Sequence, residues 1–132
     1  MSWEFEDIYS QRIVAPYSEL DLCAIVVIHL ENAYQNIVYL TNLEEKSSVV
    51  CVSFTKTSDY FGFKEVLRVG SIVAALNLKF VRKLEKSKYP CLTATENSVF
   101  TQKVAAHKHL LSKSSSLEER AKQMVRKKRV HI

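Results

Sequence analysis

The sequence has little glycine, proline or cysteine and no long hydrophobic run. Two glycines, two prolines and three cysteines occur among its 132 residues. The longest apolar stretch lies within residues 20–30 and is well short of the ~18 residues that a membrane span requires. The N-terminal MSWEFED is acidic, whereas a signal peptide begins with basic residues. The hydrophobic fraction of 47% and the chain length predict a single soluble domain. Because a membrane span and a signal peptide are not evident, we expect this domain to be intracellular and to have no membrane partner.

Candidate metal ligands are few and poorly spaced. The three cysteines are Cys23, Cys51 and Cys91. They have no CxxC spacing and no histidine at zinc-finger distance, so we expect them to be small buried hydrophobic residues rather than a disulfide framework or a zinc site. His107 and His109 are two positions apart on a predicted helix and point in different directions, which suits a metal poorly. His29, at the end of a predicted strand, is expected to be a hydrogen-bonded edge residue.

Catalytic signatures are also missing from the sequence. It contains no evident Ser-His-Asp or Cys-His set, no glycine-rich phosphate loop and no carboxylate pair with a converging base. The chain is therefore predicted not to be an enzyme, and we expect no metal, no cofactor and no small-molecule substrate.

Charge is distributed unevenly along the chain. Residues 1–60 contain three basic and nine acidic residues, a net charge of −6. Residues 61–132 contain sixteen basic and five acidic residues, a net charge of +11. Such asymmetry indicates binding to nucleic acid or to an acidic partner, although a solvated surface also produces it.

Hydrophobic periodicity predicts five strands and a helical tail. The predicted strands are residues 20–30, 36–42, 49–56, 71–80 and 91–100, the last with a break at Glu96-Asn97. In the second strand, Val38 and Leu40 share one face and Tyr39 lies on the other. Between the third and fourth strands, residues 61–67 fit a short helix that ends at Gly70.

The tail, residues 102–132, changes to a helical composition rich in Ala, Lys, Leu, Glu and Arg. Ser116 and Glu119 have the spacing of a capping box, so we place a break between two helical pieces at residues 114–116. Leu117 begins an apolar stripe in the second piece that suits packing on the domain or on a neighbouring chain. The final VRKKRV resembles a nuclear-import signal or a nucleic-acid patch.

Three strands, a short helix, two strands and a helical tail form the element order of an OB-fold, an all-β, five-stranded Greek-key barrel. Other five-stranded barrels share much of that order, and two glycines are few for a tightly bent barrel. The predicted organisation is an irregular lead-in over residues 1–19 that packs on the domain, an OB barrel over residues 20–101, and a basic helical tail over residues 102–132.

Four stretches between about Tyr17 and Leu111 resemble one known family. They are Glu19-Leu20-Asp21-Leu22, Val38-Tyr39-Leu40, Asn77-Leu78 with Phe80, and Ser98-Val99-Phe100. In this order and spacing they are similar to the third, C-terminal OB-fold in the DNA-binding region of the type two breast-cancer susceptibility protein family. The resemblance implies an OB domain that helps hold single-stranded DNA during DNA repair by homologous recombination, after DNA damage and in the nucleus.

The resemblance also implies partners. Family members are much longer, so this chain is expected to be a fragment or a reduced form. A neighbouring OB-fold of the parent protein and a recombinase are the protein partners implied. The small acidic partner protein of the family binds mainly to the helical domain and the earlier OB-folds, and it is not assigned to this chain.

An OB-fold usually binds nucleic acid on its second and third strands, beside the loops that join strands one to two and four to five. Single-strand binding needs aromatic side chains for stacking and a positive track for phosphates. The stacking candidates are Tyr34, Tyr39 and Tyr89. The cationic candidates in or beside the fourth-to-fifth loop are Lys79, Arg82, Lys83, Lys86 and Lys88. The outward face of the third strand adds Ser53 and Thr55.

Each candidate also has a plainer interpretation. Tyr39 can equally pack under the lead-in or a helix, and the basic loop can be an ordinary solvated loop. Ser53 and Thr55 are smaller than the basic and aromatic side chains that the resemblance implies there, which motivates a second hypothesis. In it the domain is a protein-docking module that binds an acidic partner, or another domain of its parent, through the groove or the basic C-terminal helix.

Overall fold

The computed structural model describes Phe5, Ile8 and residues 19–31, 35–44, 49–55, 66–81, 89–95 and 97–130. Across these residues the fold consists of strands followed by one long helix. The strands are β1 (Glu19–Glu31), β2 (Gln35–Thr41), β3 (Val49–Thr55), β4 (Ile72–Val81), β5 (Cys91–Thr93) and β6 (Val99–Thr101). Two 3-10 turns, Val104–Ala106 and Lys108–Leu110, lead into helix α1 (Leu111–Val130). Within these residues, no helix is long and apolar enough to cross a membrane.

Five of these strands form a closed barrel. β1 pairs antiparallel with both β2 and β4, and β2 pairs antiparallel with β3. β3 pairs parallel with β5, which returns antiparallel to β4, and β6 extends the pairing with β4 beyond the ring. This order, with the predicted interruption of the fifth strand between β5 and β6, confirms the predicted OB-fold.

A bulge in β1 helps to bend the barrel where glycine is scarce. Val26 pairs with Leu40 of β2 but Ile28 pairs with Tyr39, so Val27 is an extra residue in β1. Bulges of this kind bend a strand and increase its twist. They also invert the alternation of side chains, and Ile28 therefore lies on the outward face together with Tyr39. The chain closes its barrel with bulges rather than with many glycines.

A second bulge lies in β4. Leu20 of β1 pairs with Leu78, whereas Leu22 pairs with Ala75, so β4 carries one extra residue. Asn77 occupies this bulge with φ 60°, a left-handed conformation that asparagine tolerates better than most residues. The bulge shifts the side-chain alternation, because Ala75 and Leu78 both point into the barrel.

Polar side chains hold the Asn77 bulge from two sides. The Asn77 N–H donates to Oδ1 of Asp21 at 2.9 Å, and Oγ of Ser98 donates to the Asn77 carbonyl at 2.7 Å. Ser98 is buried and also accepts a hydrogen bond from the Thr95 N–H at 2.8 Å. The bulge is therefore a built feature of β4, with Ser98 joining it to the segment before β6.

Replacing Ser98 with alanine is expected to lower the free energy of unfolding by about 1–2 kcal/mol, because the Asn77 carbonyl and the Thr95 N–H lose their buried partner. Urea unfolding followed by circular dichroism measures this change. Ser115→Ala, on the exposed side of α1, is the matched control and should stay within about 0.5 kcal/mol of the native chain. Equal free energies of unfolding for Ser98→Ala and Ser115→Ala would contradict the proposed role of Ser98.

The main core fills the barrel interior with side chains from every strand of the ring. Phe5 and Ile8, from the predicted lead-in, belong to the same core and have helical conformation.

The segment before β4 is described from Val66 onward. Val66 is helical and Leu67 is buried in the main core, while residues 61–65 of the predicted short helix lie outside the described residues. Gly70 comes four residues after Val66, has φ 89° and lies in the turn that the Ser71 N–H closes by donating to the Arg68 carbonyl at 3.0 Å. Its positive φ serves this turn before β4 and does not end the helix, in contrast to the prediction.

A second core lies outside the barrel, where the tail covers β1 and β4. Cys23 and Ile25 of β1 pack with Leu110 and Leu117 of the tail; Ala74, Leu76 and Val104 complete this cluster. β1 from Leu22 to Val26 and β4 from Val73 to Leu76 are thus buried on both faces. This double burial explains why residues 22–26 are continuously apolar instead of alternating.

The break predicted at residues 114–116 is wrong. Helix α1 continues through the three serines, and Ser116 and Glu119 lie exposed inside it rather than forming a cap. Serine costs a helix only a few tenths of a kcal/mol relative to the best formers, whereas burying Leu117 against the barrel is worth about 1.5–3 kcal/mol. The actual irregularity comes earlier, at the two 3-10 turns.

Candidate nucleic-acid interface

The outward face of β2, β3 and β5 carries the candidate interface. The inward neighbours Val38, Val52 and Leu92 are fully buried, so the residues beside them in sequence point away from the core. Two rows of paired residues cross this face. They are Tyr39–Cys51–Cys91–Val81 and Ile37–Ser53–Thr93–Lys79.

Two tyrosines meet at one end of the first row. The rings of Tyr39 and Tyr89 lie 6.1 Å apart between centroids with an interplanar angle of 78°, an edge-to-face arrangement. Both side chains are half-buried. Because Tyr89 comes two residues before β5, the loop that enters β5 brings it to the ring on β2. The prediction that Tyr39 faces away from Val38 and Leu40 is confirmed.

The second row is polar. Oγ of Ser53 and Oγ1 of Thr93 are 3.5 Å apart, and Lys79 is the register partner of Thr93 on β4. Ser53, Thr93 and Lys79 are all half-buried. Lys79 reaches the outward face because the Asn77 bulge turns Leu78 inward just before it. The row ends in a cation beside two hydroxyl groups.

The structure therefore brings together four of the predicted site residues: Tyr39, Tyr89, Ser53 and Lys79. Thr55 ends β3 opposite Gln35, but its side chain is not among those described. The other predicted contacts lie outside the described residues; they are Tyr34, Arg82, Lys83, Lys86 and Lys88.

Five residues of the two rows were not predicted as part of the site. Ile37 and Val81 stand at the ends of the rows, and the parallel pairing of β3 with β5 adds Thr93, Cys51 and Cys91. The sequence placed Cys51 on the same face as Ser53, but it carried no signal for the register between strands 40 residues apart. An OB-fold topology assumed in advance would have suggested the β3–β5 pairing without fixing its register.

The cysteines differ in their surroundings. Cys23 and Cys51 are buried as expected, whereas Cys91 is half-buried. The hydrogen bond from the Cys51 thiol, with a further contribution from Ser53, outweighs burial and lowers the pKa of Cys91 to about 7. The same hydrogen bond and burial raise the pKa of Cys51, and burial raises the pKa of Cys23 to about 11.

The three histidines that the structure describes take part in hydrogen bonds or ring contacts. His29 lies 3.1 Å from Oδ1 of Asn36, which agrees with the predicted hydrogen-bonded edge residue. His109 lies 2.8 Å from Oδ2 of Asp21, and its ring stands perpendicular to that of His107. Among the residues that the structure describes, no three histidine, cysteine or acidic side chains cluster in a way that could hold a metal ion.

An apolar margin borders the interface on β1. Ile28 and Leu30 pair with Tyr39 and Ile37 of β2 and are 42% and 48% exposed. The bulge at Val27 turns them outward, since without it His29 would take the outward position. The interface is thus apolar on the β1–β2 side and polar toward β4.

Comparison with solved structures shows the same fold in other proteins. Schizosaccharomyces pombe Pot1pC, crystallised with ssDNA, has a TM-score of 0.56 and 11% identity over 84% of this chain and 94% of its own. Fission yeast Pot1, crystallised with ssDNA, has a TM-score of 0.59 and 9% identity over 86% of this chain and 43% of its own. At these identities the likeness is one of fold.

The sequence itself matches one family model over residues 2–129, nearly its whole length. The model is described as BRCA2, oligonucleotide/oligosaccharide-binding, domain 3. No curated protein matches the chain significantly. Topology, register and the family model agree with the resemblance carried by the Asn77 and Ser98 stretches, and the chain belongs to the family of the third OB domain of BRCA2.

Proposed function

We propose that this OB domain binds single-stranded DNA and serves homologous-recombination repair in the nucleus, without catalysing a reaction. The observation that carries the proposal is the Tyr39–Tyr89 pair on the face of β2 and β3, beside the row that ends in Lys79. Membership of the BRCA2 family and the fold shared with two proteins solved with ssDNA support it. The basic VRKKRV segment is consistent with nuclear import.

The tyrosine pair suits base stacking without sequence preference. Every base has a π-face, so aromatic platforms bind single strands of any sequence. In an edge-to-face pair, the edge of one ring supports the face of the other. The ring that is held in this way needs little reordering when a base stacks on it. We infer that Tyr39 and Tyr89 form one stacking platform.

The phosphates would follow the row that ends in Lys79. Ser53 and Thr93 offer hydroxyl groups beside this cation, and hydroxyls donate to phosphate oxygens. Val81 ends β4 in the tyrosine row, and Arg82, Lys83, Lys86 and Lys88 come next in the sequence. The chain thus leaves the interface directly into its most basic loop. We infer that the phosphate backbone lies toward β4 and the bases toward β2.

A salt titration of fluorescence anisotropy with a labelled single-stranded oligonucleotide tests the proposal. We expect tighter binding to the single strand than to the same sequence as a duplex, and weaker binding as salt rises because condensed counterions are released. The triple variant Lys83→Ala, Lys86→Ala, Lys88→Ala should flatten the plot of log K against log salt by about 2 units of slope, at about 0.7 per phosphate contact.

A second triple variant with the same change of net charge is the matched control. Lys103, Lys108 and Lys122 are exposed on the tail, which covers the opposite side of the barrel from the tyrosines. Their replacement by alanine should leave the slope near that of the native chain. Equal slopes for both triple variants would show that overall charge, rather than the loop, drives binding.

Protein docking is the second candidate function, and the exposed Ile28 and Leu30 beside the interface favour it. Apolar residues clustered on a surface mark protein contacts more often than nucleic-acid contacts. The same titration separates the candidates. Absence of binding to single strands at low salt would overturn the DNA proposal and leave docking of another domain or an acidic partner.

A further inference from the structure

Two free thiols lie side by side at the centre of the interface. Cys51 and Cys91 are register partners in the parallel β3–β5 pair, and both thiols are free. Neighbouring strands lie about 4.8 Å apart, within the range of about 4.4–6.8 Å that Cα atoms span across a disulfide. Both side chains point to the outward face. The Cα separation of the two residues is therefore compatible with a bond between their sulfur atoms.

The two thiols have the complementary properties of an attacking and a resolving cysteine. Cys91 is half-buried, and the hydrogen bond from Cys51 favours its thiolate form, which is the nucleophile. Cys51 is only 7% exposed and keeps its proton, with Sγ lying 3.4 Å from the Pro90 carbonyl. Reagents from solvent should thus reach Cys91 first, and Cys51 lies next to the Cys91 sulfur that would be oxidised.

We propose that Cys51 and Cys91 are a reversible thiol modification site on the interface, which peroxide converts into a disulfide between β3 and β5. The proposal rests on the register of the two strands and is independent of DNA binding.

The chemistry balances with hydrogen peroxide as the oxidant. The Cys91 thiolate attacks one peroxide oxygen, the O–O bond breaks, and a sulfenic acid and hydroxide form. The Cys51 sulfur then attacks the Cys91 sulfur, the S–O bond breaks, and the departing hydroxide takes the Cys51 proton as water. The first hydroxide takes up the proton that Cys91 released on ionising. Two thiols lose two electrons in total, and one peroxide becomes two waters.

The bond should also be easy to reduce. Side chains in register on neighbouring strands have Cβ atoms about 4.5–5.5 Å apart, whereas a relaxed disulfide prefers about 3.8 Å. The strands must draw together to close it, and strained disulfides have more oxidising potentials. Such disulfides are the labile and regulatory ones, so a thiol reductant should restore both cysteines.

Intact-mass measurement on the unmodified 132-residue chain tests the proposal. After treatment with hydrogen peroxide, denaturation and alkylation, we expect the chain to lose two hydrogens and two of its three alkylatable thiols. Peptide mapping should then link Cys51 to Cys91, and a reductant should restore all three thiols. Three free thiols after treatment, or a link that includes Cys23, would overturn the proposal.

Variants and rates sharpen the test. Cys51→Ser keeps a hydrogen-bond donor beside Cys91 but cannot form a disulfide, so it should leave Cys91 as a sulfenic acid that a dimedone probe traps. Cys23→Ala should still form the disulfide. In the native chain, which needs no variant to fold, Cys91 should react with iodoacetamide at neutral pH ~100-fold faster than Cys23, from their thiolate fractions and nucleophilicities. Equal alkylation rates would show that Cys91 is not the attacking thiol.

Discussion

Replacing Tyr39 with alanine is expected to weaken single-stranded DNA binding by about 5- to 150-fold, because an aromatic side chain that stacks on a base contributes about 1–3 kcal/mol. The variant also removes the edge-to-face contact between the rings of Tyr39 and Tyr89. Anisotropy at fixed salt measures the affinity. The reduction should be similar for oligonucleotides of different sequence, because stacking does not read the base edge.

Two controls separate stacking from loss of structure. Tyr39→Phe keeps the ring and should bind within about 2-fold of the native chain. Val99→Ala removes an exposed apolar side chain from β6, outside the β2–β3–β5 face, and should leave binding unchanged. If Tyr39→Ala binds as tightly as Val99→Ala, Tyr39 is a packing residue, as its plainer interpretation has it.

The largest effect on stability is expected for Leu117→Ala, at about 2–5 kcal/mol of unfolding free energy. Leu117 is 2% exposed in the second core, where it packs with Leu110 against Cys23 and Ile25 of β1. Its removal leaves a cavity that the paired strands cannot collapse to fill. Urea unfolding followed by circular dichroism gives the change, and limited trypsin digestion shows whether the tail is released before the barrel unfolds.

Leu111→Ala is the matched control for this prediction. It is the same substitution in the same helix, but Leu111 is 42% exposed. Its replacement should therefore lower the free energy of unfolding by less than about 1 kcal/mol. Equal losses from the two substitutions would mean that α1 does not pack on the barrel through Leu117. The ion pair of Arg120 with Glu44 would then carry more of the attachment than an exposed pair normally does.

The strands of the barrel could be predicted from the sequence because burial imposes a pattern on each of them. Val38 and Leu40 alternate with half-buried residues in β2, while β1 is covered on both faces from Leu22 to Val26 and is continuously apolar there. The uninterrupted helix α1 could not be predicted in the same way. Its serines and the capping-box spacing favour a break locally, and contacts between Leu117 and distant strands override them.

The candidate site was predictable in its residue types but not in its layout. Alternation along β2 indicates that Tyr39 points outward, and the composition of residues 79–88 indicates a cationic loop. Neither pattern reveals that Thr93 lies beside Ser53 or that Cys51 meets Cys91, because these neighbours depend on the β3–β5 register. The two bulges likewise could not be predicted from the sequence, because the position of each depends on the pairing between strands as well as on residue preference.

The Asn77 bulge lets β4 place Leu78 in the core and Lys79 on the interface although two residues separate Leu78 from the inward Ala75. Strict alternation through the same residues would instead turn Leu78 to the interface and Lys79 into the barrel. Substitution at Asn77 by glycine or aspartate preserves the bulge and both faces. In relatives that keep this interface, we therefore expect either a residue that tolerates the left-handed conformation at this position or a β4 that is one residue shorter there.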